Sequence, residues 1–132
     1  MHRRGGLTRR RRRPEPGRRT PRYAEWGIDL IKNDCIFAHN YVEDNIKGVS
    51  AAIAKAAHPT VYSLSPGGGN PATEFGQAKG IAGNVNIYRV TSDWHGGDLA
   101  YHFQIAATMQ PLIGVDGLNG KSFPDLDMLN PY

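Results

Sequence analysis

A single cysteine, Cys35, is all that the 132 residues contain. An intrachain disulfide and a zinc site of paired cysteines are therefore both excluded, and Cys35 reads as a partly buried free thiol. No stretch approaches the ~20 consecutive apolar residues of a membrane-spanning helix. A secretory signal is not visible either, because the basic start runs on into more arginine instead of an apolar segment. Asn-x-Ser/Thr acceptors are absent. His39, His58, His95 and His102 share no ligand spacing on one face, so neither a metal site nor a cofactor is expected.

Acid is nearly missing from the head of the chain. Residues 1–22 hold ten Arg against Glu15 alone, a net of +9, while residues 23–132 carry a net of −5. The overall pI of about 9.4 is thus a property of the head. A mildly acidic body does not suit a nucleic-acid-binding fold. The head is punctuated by Pro14, Pro16 and Pro21 and lacks apolar periodicity. It reads as a disordered segment over 1–22, unable to bury enough surface to offset chain entropy. It serves as an electrostatic arm, as an Arg-rich transit segment, or is sequence foreign to the domain that follows.

What is present begins at Tyr23. Tyr23-Ala24-Glu25-Trp26-Gly27 reads as the last turn of a helix closed by a glycine in the left-handed conformation. Residues 28–33 form a short strand ending at Asp34. Val42, Ile46, Val49 and Ile53 recur at helical spacing and predict a helix over 42–57, ended by His58-Pro59. Further strands are expected over 60–64 and 84–90, and further helices over 72–82 and 99–109. Leu99, Phe103 and Ala106 fall on one face of the last helix. A glycine-rich connection, 114–120, leads to a strand-like segment over 121–129. Alternating strands and helices call for a parallel sheet with helices packed on it. Chemistry in such folds gathers at the carboxyl ends of the strands.

Polar clusters lie at those ends. Lys32 and Asp34, two apart on a strand, point to the same side. A cation there keeps a carboxylate ionised, as a nucleophile requires; equally, Asp34 caps the next element and Lys32 lies on the surface. Arg89 and Asp93 end the third strand, where a second carboxylate facing Asp34 can protonate a leaving group and then activate water. A loop salt bridge between the two explains their spacing as well. Asp125 and Asp127, beside Pro124, can accept sugar hydroxyls or be ordinary turn residues. Gly120-Lys121-Ser122 is not a phosphate-binding loop, since Val115 stands where the motif needs glycine and Phe123-Pro124 follows in place of a helix. Asp125-Leu126-Asp127 lacks the rest of a calcium loop.

The segments WGIDLIKNDC (26–35), YRVTSD (88–93) and KSFPDLDML (121–129) resemble three signature segments of the melibiase-type α-galactosidases, glycoside hydrolase family 27, in order and spacing over about 110 residues. The resemblance implies an α/β fold, part of a (β/α)8 TIM barrel, with residues 23–132 supplying about four of its eight units. It implies a retaining glycoside hydrolase acting on terminal α-linked galactosyl residues without a cofactor. Asp34 would be the nucleophile and Asp93 the acid/base. Lys32, Arg89, Asp127 and Met128 would contact substrate, with Asp125 at another acidic position of the last segment. Secretion, the cell wall or the vacuole is the compartment the family suggests.

Departures accompany the match. Many members have an extra residue between nucleophile and cysteine, and that cysteine pairs upstream; Cys35 follows Asp34 directly and has no possible partner. Ser63-Leu64-Ser65-Pro66-Gly67 stands where other members distinguish galactose from its N-acetylated relative, which leaves the sugar open. Barrels run to ~250 residues, so a truncated or misjoined chain is expected, associating through unpaired barrel edges. Two rival readings remain: a non-catalytic remnant of the same fold, and nucleic-acid binding through the Arg-rich head.

Overall fold

The computed structural model describes residues 20–34, 42–65, 75–93 and 99–126. Helix α1 (Thr20–Glu25) opens the described chain, beginning inside the segment read as disordered, the rest of which lies outside the described residues. Its end follows the expected chemistry. Gly27 sits at φ +68. The Gly27 amide donates to the Ala24 carbonyl (3.1 Å) and the Ile28 amide to the Tyr23 carbonyl (3.0 Å), the paired closure that a left-handed glycine permits.

Strand β1 (Leu30–Asp34) is followed by α2 (Glu43–Ala54), β2 (Val61–Ser65), α3 (Phe75–Ala82) and β3 (Ile87–Arg89). Then come α4 (Leu99–Met109), a 3-10 turn (Gln110–Leu112), β4 (Val115–Gly117) and β5 (Gly120–Asp125). The sheet order is β1-β2-β3-β5-β4. β1, β2, β3 and β5 run parallel, and β4 is antiparallel to β5. Parallel neighbours require crossovers, and α2, α3 and α4 supply them. This is the expected stretch of (β/α) barrel, with four parallel strands.

One face of the sheet is covered. Ile46, Val49 and Ile53 of α2 and Ala78, Ile81 and Ala82 of α3 are buried against Tyr62, Leu64 and Tyr88 of the strands. α2 lacks a side-chain N-cap, and Glu43 and Asp44 in its first turn oppose the helix dipole instead. The Ser50 hydroxyl donates to the Asn84 carbonyl and fastens α2 to the turn after α3.

The inward side of α4 and the form of the glycine-rich connection are both set by packing. Leu99 and Phe103 of α4 are exposed (43% and 65%), while His102 and Met109 are buried. The 102–105–109 stripe is the one that reaches α3 and the core, leaving the 99–103 stripe uncovered among the described residues. The glycine-rich connection is a β-hairpin. Gly117 pairs with Gly120 around Leu118-Asn119, and Asn119 at φ 52 takes a conformation that asparagine tolerates. Gly117 is needed for close approach, because a Cβ there would meet the Val85 carbonyl and the Ser122 Cβ.

Asn86 locks that hairpin down. Its Oδ1 accepts from the Tyr62 amide (3.0 Å), and its Nδ2 donates to the carbonyls of Leu118 (2.8 Å) and Lys121 (3.2 Å). One side chain thus ties β2, β3 and β5 at the amino end of the sheet. Among the described residues no helix is long and apolar enough to cross a membrane.

Candidate active site

The parallel register builds a row across the carboxyl ends of the strands. Asp34 pairs with Ser65 and Arg89 with Asp125. Leu64 pairs with Tyr88, so the next step sets Ser65 beside Arg89. Asp34, Ser65, Arg89 and Asp125 therefore stand in sequence on β1, β2, β3 and β5. Side chains on one row share a face. That face is the one away from the helices, because Ile31 and Asn33 are half-buried while Leu30, Lys32 and Asp34 are exposed. Lys32 lies one pleat below Asp34 on the same face, opposite Ser63.

Arg89 organises the middle of the row. Its side chain is only 14% exposed and forms an ion pair with Asp93 through Nη2. Nε donates to the Thr91 carbonyl (2.9 Å) and Nη1 to the Ser65 hydroxyl (3.5 Å). The salt bridge considered from spacing is thus formed, and it holds Asp93 at the same strand end as Arg89. Asp93 itself is 54% exposed, so the pair leaves one carboxylate face to solvent.

Behind the row, the Tyr62 hydroxyl accepts a hydrogen bond from Asn33 Nδ2 (3.2 Å). Burial pushes the Tyr62 phenol above its ordinary pKa, with the Asn33 bond acting the other way. A neutral phenol therefore props the residue between Lys32 and Asp34. Asp127, Met128 and Cys35 lie outside the described residues. Among the described residues no group of three or more His, Cys, Asp or Glu could hold a metal ion.

The structure adds Ser65 and Thr91 to the site, both as partners of Arg89. The signal for Ser65 was present: in Val61-Tyr62-Ser63-Leu64-Ser65 the serines alternate with buried Tyr62 and Leu64, in phase with Lys32 and Asp34. Thr91 offers no such periodicity, since it lies past the end of β3.

Parallel strands, crossover helices on one face and a charged row at the carboxyl ends of the other define a segment of a (β/α)8 barrel. No family model and no curated protein matches the chain. Solved structures do. One is a GH27 β-L-arabinopyranosidase, Abp, from Geobacillus stearothermophilus, at a TM-score of 0.68 and 28% identity over 86% of this chain and 25% of that one. A second is an aspartate-to-alanine variant of that enzyme in complex with arabinose, at 0.67 and 29% over the same shares. The chain is similar to part of the barrel of these glycoside hydrolase family 27 enzymes. It spans a quarter of the length of those two solved chains.

Proposed function

We propose that this chain carries the nucleophile and acid/base of a retaining glycoside hydrolase. The observation that supports this best is the row Asp34, Ser65, Arg89 and Asp125 with Asp93 held at its centre. β1 and β3 are two strand spacings apart, roughly 10 Å between backbones. Carboxylates leaning inward across that span can approach the ~5–5.5 Å of a retaining pair.

Asp93 first takes up a proton from solvent at its exposed face, in exchange for its pairing with Arg89. Asp34 then attacks the anomeric carbon while Asp93 gives that proton to the departing oxygen, leaving a glycosyl ester on Asp34. Asp93, now ionised, takes a proton from water, whose oxygen attacks the same carbon and frees Asp34. Lys32 and Arg89 donate hydrogen bonds to sugar hydroxyls, and Asp125 and Asp127 accept them. Met128 contacts substrate in the same reading, on the resemblance alone.

The substrate is a terminal sugar of galacto configuration. The α-D-galactoside suggested by the sequence and the β-L-arabinopyranoside named for the solved relatives share that ring stereochemistry. They differ in whether C5 carries a hydroxymethyl group. Aryl glycosides of both, assayed with the chain and with Asp34→Asn, test the reading. Turnover of either that is lost in Asp34→Asn is expected; undiminished turnover in the variant removes Asp34 from the role.

The open apolar face beside the row favours a second reading, a fold that binds sugar without turning it over. Calorimetry showing sugar binding with no hydrolysis would select it.

A further inference from the structure

One buried side chain joins the two halves of the row. Thr91 is 1% exposed. Its Oγ1 donates to the Leu126 carbonyl at 2.6 Å, and its own carbonyl accepts from Arg89 Nε at 2.9 Å. The β3–β5 register ends at Arg89 and Asp125, after which the Val90 amide donates to the Asp125 carbonyl (2.9 Å). The Thr91 hydroxyl then carries the contact one residue further than the backbone does.

The two segments it ties are those that bear the charged groups. Arg89 and Asp93 flank Thr91; Asp125 precedes Leu126 and Asp127 follows it in sequence. Valine at 91 would fill the same space but leave the Leu126 carbonyl without that donor, and a part-buried acceptor deprived of its partner loosens the segment that carries it. Serine keeps the donor and loses only a methyl group.

We propose that Thr91 is a positioning residue of this site. It sets the spacing between the turn that presents Asp93 and the segment that presents Asp125, and acts on the sugar only through them. The inference rests on the reading of Asp93 and Asp125 given above.

Thr91→Val and Thr91→Ser in the 132-residue chain test it, by amide hydrogen exchange at residues 92, 93 and 126 and by NMR titration with L-arabinose and D-galactose. Thr91→Val is expected to speed exchange at those residues and weaken sugar binding, each about tenfold. Exchange at Ile46 and Ile53 should be unchanged, and Thr91→Ser should restore wild-type behaviour. Equal local exchange in Thr91→Val, no rescue by serine, or acceleration at Ile46 and Ile53 in step with residue 126 would overturn the proposal. Unchanged sugar affinity despite faster local exchange would overturn it too. A wild-type chain that binds neither sugar counts against the sugar site itself, while the exchange data still decide the Thr91 tie.

Discussion

On the helix-covered face of the sheet, Tyr62, Leu64 and Tyr88 are at most 1% exposed beneath α2 and α3. On the opposite face, Leu30, Val61 and Phe123 are 51%, 39% and 47% exposed, and above them lie Asp34, Arg89 and Asp125. Both faces come from the same short strands, read at alternate residues. The covered face is mainly apolar, with Asn33 hydrogen-bonded to Tyr62 as its polar exception on β1, and supplies stability. The open face is divided along its length, apolar toward the amino ends and charged at the carboxyl ends, as expected where a barrel interior meets its mouth.

Substitutions can break or sharpen that contrast. Ile46→Ala empties a fully buried site under the covered face and should lower unfolding free energy by about 2–5 kcal/mol in urea titration. A change under about 1 kcal/mol would mean that α2 does not seal the sheet.

Asn86→Ala removes three hydrogen bonds that join β2, β3 and the hairpin. A loss of about 2 kcal/mol is expected, with amide exchange at Leu118 and Phe123 accelerating most.

Tyr88→Phe sharpens the account of the covered face, since the Tyr88 hydroxyl is buried with no hydrogen-bond partner among the described residues. The variant should gain about 1 kcal/mol at neutral pH. Burial pushes the Tyr88 phenol up from 10.0 to about 12. The folded chain then keeps a proton that the unfolded chain releases. Its contribution is complete below pH 10 and is lost as pH climbs to about 12. Thermal melts across that range should show a shallower fall in Tyr88→Phe, with the residue left by Tyr62 still visible.

Leu30→Lys with Phe123→Lys should have the smallest effect on stability, within about 0.5 kcal/mol, because both side chains are already in water. The same pair should shift the sedimentation of the 132-residue chain toward monomer. Unchanged association would mean that the open apolar face is not what draws copies together.

Much of this was legible in the sequence for physical reasons. Periodicity over Ile46, Val49 and Ile53 located α2, α4 spans 99–109 as expected, and Gly27 marked a helix end through its left-handed backbone. Alternation in Leu30–Asp34 put Lys32 and Asp34 on one face. Other features left no periodic trace. Asn86 works through backbone partners on two strands and a hairpin turn, and Thr91 bonds a carbonyl 35 residues away. The Ser65–Arg89 contact depends on register, which pairwise letters do not carry. The inward face of α4 is likewise not written in its letters: Leu99 and Phe103 are as apolar as a core stripe, and only the placement of α3 shows that the inward side is that of His102 and Met109.

The central claim is that Asp34 attacks a sugar with Asp93 as its partner across the row. Incubation with an activated 2-fluoro glycoside of galacto configuration, followed by peptide mass spectrometry, tests it most directly. A single adduct on the peptide holding Asp34, absent from Asp34→Asn, is the expected result. No adduct, or one on another carboxylate that persists in the variant, would contradict the account.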